Sequence, residues 1–344
     1  MKAIFETALQ KSHWPICAHT LYRDGVFTAT DCEREARTIN PILGLQEHAL
    51  IPVAWLKAIY PKNGQLIYVD GAINGHKIPE HGFKFEDFPS IKGEFVPSAR
   101  VVVSRDDLAG VALASSVTDI RYYLSGVWFD CAAGRIAATD GHRLHVAGMI
   151  DCNKTKGEFI VPSATIRQAL SVACKGSDIV VEYDAGEGIE EKDGITNARR
   201  FTSVRITFSH DGTVIRSKII NGKYPDIDRV IPADGKANIG ISVDAKEGLV
   251  AFKQYERLAK ANPEQAKVIT ARFKNGMLNG DATLATDAVS VTGCEGGMGF
   301  VVSYVRDAVK FIGSDVVRFG ADDVTSCIKA QSGHKVAVVM PCRI

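Results

Sequence analysis

Apolar and polar residues alternate along most of the chain in short runs separated by turn residues, the period-two signature of half-buried strands. Val101-Val102-Val103, Ile179-Val180-Val181 and Val204-Arg205-Ile206-Thr207-Phe208 are expected strands. Helical spacing is rarer. A Ser followed closely by two acids predicts a helix over 104–117, with the hydroxyl capping orphan amides and the carboxylates favouring the positive end of the helix. Leu249, Val250, Phe252, Tyr255 and Leu258 recur at near-helical spacing and predict a second helix over 244–260. Leu56/Tyr60, Ile166/Leu170 and Val305/Val309 are i,i+4 apolar pairs marking three further short helices.

These elements recur. The tripeptide Ala-Thr-Asp ends a strand-like run at Ala29-Thr30-Asp31, at Ala138-Thr139-Asp140 and at Ala285-Thr286-Asp287. A strand followed by a short helix comes after each copy, beginning 21 residues beyond the Thr in the first two copies and 15 in the third. Repetition of this kind predicts an α+β chain of three repeated domains, each with antiparallel strands and two helices against one face. Pro and Gly clusters put the boundaries near Phe88-Pro89 to Pro97 and near Pro232-Ala233-Asp234-Gly235. The expected domains are therefore 1–98, 99–234 and 235–344. The stretch 184–200 is rich in Gly, Glu and Asp without a period and is expected to be an exposed hairpin insertion.

Charge and cysteine usage narrow the chemistry. Of 344 residues, 41 are Lys or Arg and 40 are Asp or Glu, so no global basic field advertises nucleic acid, although a local stripe would suffice. The eight cysteines show no Cys-x-x-Cys pair and no zinc-like spacing with His, so no metal is expected, and they are read as mostly buried thiols of a reducing cytoplasm. The first 20 residues carry no apolar core of signal-peptide length, and no apolar run approaches the ~20 residues of a membrane span. No phosphate-binding Gly-rich loop, nucleophile elbow or His-Glu-x-x-His motif occurs. Asp140 and His142 are the one acid/base pair that could serve an enzyme, but no nucleophile is placed beside them. A non-catalytic, cofactor-free cytoplasmic protein is expected.

Several runs then converge. They are Asp119-Ile120-Arg121-Tyr122-Tyr123-Leu124-Ser125-Gly126, Ala138-Thr139-Asp140-Gly141-His142-Arg143-Leu144, Asn221-Gly222-Lys223-Tyr224-Pro225-Asp226, Val302-Ser303-Tyr304-Val305, and the terminus Val338-Val339-Met340-Pro341-Cys342-Arg343-Ile344. In order and spacing, from about residue 101 onward, they resemble the bacterial DNA polymerase III beta subunit family, the sliding clamps. The first domain fits less closely, and by this resemblance it is expected to be shortened at its start.

The resemblance implies a head-to-tail homodimeric ring, with sheets outside and paired helices lining a hole that encloses double-stranded DNA without reading its sequence. It also implies a pocket for short linear motifs of DNA polymerase, the clamp loader and other partners. Carried over position by position, the pocket comprises Leu124, Thr139, Gly141, His142, Arg143, Leu144, Pro225, Arg229, Val230, Tyr304, Val324, Ser326, Val339, Met340, Pro341, Cys342 and Arg343. The family's Arg-Tyr-Tyr DNA contact maps onto Arg121, Tyr122 and Tyr123, and a first-domain contact onto Lys11. Lys57, Arg167, Lys175, Arg306 and Lys310, on or beside the repeated short helices, are further expected DNA contacts, although a solvated helix face explains any one of them equally well. Thr118 and Val301 stand where the family often has Gln and Asn. The alternative is an interaction protein that keeps the pocket but closes no ring on DNA.

Overall fold

The computed structural model describes every residue except 9–13, 91–94, 117–118, 154–156, 186–202, 209–211, 234, 236 and 262–267. The expected insertion over 184–200 and the candidate Lys11 therefore lie largely or wholly outside the described residues, as does Thr118. The chain divides into two compact units, 1–106 with 149–220 and 107–148 with 221–344. The segment 99–234 contributes to both.

The first unit is built on a nine-stranded antiparallel sheet. Its strands run in the spatial order Asp151–Cys152, Ala99–Ser104, Asp178–Asp184, Ser203–Phe208, Val214–Lys218, Arg34–Ile39, Val26–Thr30, His19–Arg23, Ala49–Pro52. Helices α1 (Lys2–Ala8), α2 (Val53–Ile59) and α4 (Ser163–Val172) belong to this unit. Helix α1 was not evident from hydrophobic periodicity. It buries Ala3, Ile4, Thr7 and Ala8, and Gln168 of α4 donates to the Ala3 carbonyl at 3.0 Å. Seven residues are too few for periodicity to stand out, so tertiary packing rather than propensity holds this helix.

The second unit carries helices α5 (Ala245–Lys260) and α6 (Val302–Ile312) and nearly all of α3 (Arg105–Ala112). Its main antiparallel sheet runs through Gly126–Asp130, Arg135–Thr139, Arg143–Gly148, Lys335–Val339, Ile328–Ser332, Val316–Ala321, Ile239–Asp244 and Val289–Thr292. Helix α5 begins where the sequence predicts, because the Asp244 carboxylate caps the Glu247 amide at 2.8 Å. Its buried stripe is Gly248, Ala251, Phe252, Tyr255 and Ala259, so Val250 and Leu258 of the expected face are exposed. Helix α3 is shorter than expected, since the chain turns tightly after Ala112 with Ala114 bonding back to Val111. Helix α6 ends on Gly313 at φ +73°, a left-handed cap that glycine adopts without a Cβ clash.

Each Ala-Thr-Asp copy lies at the end of a strand, as expected: Val26–Thr30, Arg135–Thr139 and Thr283–Ala285. Each downstream segment is a strand running directly into helix α2, α4 or α6.

Candidate functional site

The first two Ala-Thr-Asp copies build the same six-residue turn. In the second, Thr139 Oγ1 donates to the Arg143 carbonyl at 2.6 Å and accepts from the Gly141 amide at 3.0 Å. Asp140 Oδ1 accepts from the amides of His142 and Arg143, and Oδ2 takes Arg143 Nε at 2.9 Å. In the first, Thr30, Asp31, Cys32 and Arg34 repeat those bonds, with Arg34 Nε on Asp31 Oδ2 at 3.0 Å. The residue after the Asp is left-handed in both, Cys32 at φ +71° and Gly141 at φ +89°. The third copy lacks the Arg and keeps only the Thr286 bond to the Ala288 amide.

The second turn forms a wall of a cavity of about 230 Å³ in the second unit. Leu124, Thr139, Gly141, His142, Arg143, Leu144, Pro225, Val230 and Met340, all named among the expected pocket residues, line it together with Arg121, Asp226, Ile227 and Val338. Pairing between Arg143–Gly148 and Lys335–Val339 brings the C-terminal wall to the turn. Leu144 stands opposite Val338, and the Met340 amide bonds to the His142 carbonyl at 2.9 Å.

The loop that carries Pro225 and Val230 is anchored twice. The buried Tyr224 hydroxyl accepts the Thr139 amide at 2.9 Å while its ring stacks on Trp128 at 5.2 Å, and burial pushes its phenol pKa up. Arg135 grips Asp228 with two bonds of 2.7 and 2.8 Å and also reaches Asp130.

Arg143 is the hub of the polar side. Its guanidinium bonds Asp307 at 2.8 Å and lies 4.5 Å from the Tyr304 ring centroid, while His142 stacks on the same ring at 6.4 Å. Burial raises the Tyr304 pKa. Asp307 is shared with Arg306 and Lys310, and Arg306 is held in turn by Glu256 at 2.5 and 2.6 Å. The Asp140 carboxylate is committed to the turn and to Arg143, so what it does here is positioning.

The remaining expected pocket residues fall elsewhere. Tyr304 packs beneath His142 and Arg143, and Val339 is fully buried, one residue from the lining Val338. Arg229 is exposed and pairs with Asp226. Val324 is exposed, and Ser326 lines a separate cavity of about 160 Å³ with Cys327 and Lys329. Beyond Met340 the chain runs along another strand, where the Cys342 amide bonds the Gly299 carbonyl and Arg272 donates to the Ile344 carbonyl, so Pro341, Cys342 and Arg343 do not line the cavity. Ile227 and Asp226 were missed because they sit within an otherwise matched loop, and Val338 because strand alternation decides which of two adjacent valines faces the cavity.

Of the expected DNA contacts, Arg121 turns to the cavity. It is fixed by Asp119 at 2.6 and 3.0 Å and by the Asp140 carbonyl at 3.1 Å, and it holds the Asp119 carboxyl down at about 2. Tyr122 is exposed and meets Tyr123 edge-to-face at 5.7 Å. Lys57 on α2, Arg167 on α4, Lys175 just beyond α4 and Lys310 on α6 are exposed. Arg306 is engaged in the ion-pair network. Among the described residues, no cluster of three or more His, Cys, Asp or Glu could hold a metal ion, and no helix is long and apolar enough to cross a membrane.

The family profile described as DNA polymerase III beta subunit, central domain, matches residues 105–226, which carry most of the cavity's walls. Over those residues the chain is similar to the beta subunit family. It is 28% identical over 278 residues to the beta sliding clamp of Pseudomonas aeruginosa, a match covering 75% of this chain and 69% of that protein. It is 28% identical over 242 residues to the beta sliding clamp of Escherichia coli K12, covering 66% of this chain but only 59% of that one. The fold extends further than the sequence match. The Pseudomonas aeruginosa sliding clamp bound to griselimycin superposes with a TM-score of 0.72 at 21% identity, covering 100% of this chain and 96% of that one. The Thermotoga maritima beta subunit gives 0.72 at 19%, with the same coverage. The α+β architecture is thus that of beta clamps from end to end.

Proposed function

We propose that the chain is a DNA sliding clamp, a processivity factor that encircles duplex DNA as a head-to-tail homodimeric ring and tethers DNA polymerase and other partners through the cavity of the second unit. The observation that carries this reading is the cavity itself. Leu124, Leu144, Pro225, Ile227, Val230, Val338 and Met340 supply apolar surface, and His142, Arg143 and Arg121 stand at its polar margin. That is the chemistry of a groove taking a short peptide through a few buried side chains, where a handful of anchors supplies most of the affinity. The clamp loader and other proteins bearing such motifs are the expected further partners, and the setting is cytoplasmic.

In this reading the three segments 1–98, 99–234 and 235–344 are the ring's repeated domains. Among the described residues each contains two α-helices, the pairs being α1 with α2, α3 with α4, and α5 with α6. Exposed Lys57, Arg167, Lys175 and Lys310, with Tyr122 and Tyr123, would meet the phosphate backbone in weak, numerous and salt-dependent contacts without base readout. Nothing catalytic is assigned. The tether acts by effective concentration, since a polymerase that releases the primer end stays close to it.

The test is binding of a fluorescent peptide that ends in two or three large apolar residues. Saturable binding lost in Leu144→Asp, a charge placed inside the cavity, supports the assignment. Binding undisturbed by that substitution contradicts it.

A further inference from the structure

The first Ala-Thr-Asp turn occupies the same place in its unit as the cavity turn does in the second. The hairpins match in register: Leu21 opposes Thr28, two residues before Thr30, as Trp128 opposes Ala137, two before Thr139. Counting back along the matched strands, Cys17 stands where Leu124 stands, each in a single 3₁₀ turn closed by a bond to the residue three before it, Trp14 or Arg121. Cys32 stands where Gly141 stands.

The corresponding place in this unit holds a hydrophobic cluster. Ile16, Cys17, Leu50 and Phe88 are buried together, with Leu21 and Cys32 packed against them. At its centre the Cys17 and Cys32 sulfurs approach to 3.7 Å, although the residues are 15 apart in the chain. Cys17 is fully buried and Cys32 half-buried, so Cys32 is the more accessible residue of the pair. Cys32 also holds a left-handed backbone position that glycine fills in the second copy, so the side chain is kept at a site where a residue without Cβ would sit more easily.

We propose that Cys17 and Cys32 form a redox-active dithiol that closes to a disulfide on exposure to a small-molecule disulfide. The Cys32 thiolate attacks one sulfur of the oxidant and expels one equivalent of the small thiol, leaving a mixed disulfide on Cys32. Cys17 then attacks Cys32 Sγ and expels the second equivalent, which leaves as the small thiol carrying the Cys17 proton. Two protein thiols and one oxidant disulfide become one protein disulfide and two small thiols, with no other electron acceptor. The bond fastens the 3₁₀ turn Pro15–Ala18, just before the strand His19–Arg23, to the turn after Val26–Thr30.

The test treats the reduced full-length protein with oxidised glutathione, quenches with acid and reads intact mass and disulfide-linked peptides. The expected product is a Cys17–Cys32 linked peptide with loss of two hydrogens and no retained glutathione. Cys32→Gly, the residue present at the equivalent turn position, should fold, lose the linkage and leave Cys17 without an adduct. Cys17→Ser should instead accumulate glutathione on Cys32, because the resolving thiol is gone. Glutathione stably retained on Cys32 in the unsubstituted protein, or no reaction at Cys32 while exposed Cys174 is modified, would overturn the proposal.

Discussion

Gly141 carries two constraints at once. Its φ of +89° is left-handed, and a Cβ there would meet Arg121 Nη2 at 2.7 Å. Gly141→Ala is expected to cost about 1 kcal/mol in backbone strain and to push Arg121 off the cavity rim. Calorimetry should show a modest fall in Tm and anisotropy a loss of peptide affinity. His145 sits behind the same wall, fully buried, with Nδ1 at 2.8 Å from the Gly110 carbonyl and its ring stacked on Phe311. Burial, above all, lowers its pKa from 6.5 to about 4, so the folded protein holds it neutral. The unfolded chain binds the extra proton between those values. The stability that neutral His145 contributes is therefore complete above pH 6.5 and is lost as pH falls toward 4. Urea unfolding should show a loss of about 2 kcal/mol from pH 7 to pH 5 attributable to this group, at about 1.4 kcal/mol per pH unit. His145→Gln should flatten that slope, and an unchanged slope would place the titration elsewhere.

At the scale of elements, the cavity depends on a loop and a terminus that strands hold in place. Arg135 braces the Asp226–Val230 segment through Asp228, so Arg135→Ala should weaken peptide binding several-fold while costing only about 1 kcal/mol of stability, the range of a partly exposed ion pair. Met340→Ala removes an exposed lining side chain, and a tenfold loss of affinity, about 1.4 kcal/mol, with unchanged Tm is the expected result by titration calorimetry.

Much of this was legible in the sequence. The strand–helix repeats and the Asp244 cap follow from spacing, and nine of the seventeen residues singled out by the family's runs lie together around the cavity. The repeated turn was only half legible. Its bonds use the Thr, the Asp and an Arg three residues further on, while Cys32-Glu33 and Gly141-His142 between them are free to differ, so the tripeptide is visible and the Arg is not. Arg121 is expected among the DNA contacts; its side chain is held by Asp119, two residues earlier, and by the Asp140 carbonyl, and only the second partner, 19 residues on, lies beyond local sequence. The approach of Cys17 to Cys32 is invisible for a similar reason, since pairing of two strands creates it.

At the scale of the whole molecule, a near-neutral chain that presents basic side chains on its repeated short helices fits topological rather than adhesive binding of DNA. Light scattering at micromolar concentration should give the mass of two chains, and a strict monomer would favour a partner-binding protein that closes no ring. The central claim is the enclosure of duplex DNA. Protein loaded onto nicked circular DNA should remain bound through gel filtration at elevated salt and be released when a single restriction cut linearises the circle. Equal retention on the circular and linear forms, or equal loss from both, would contradict the account.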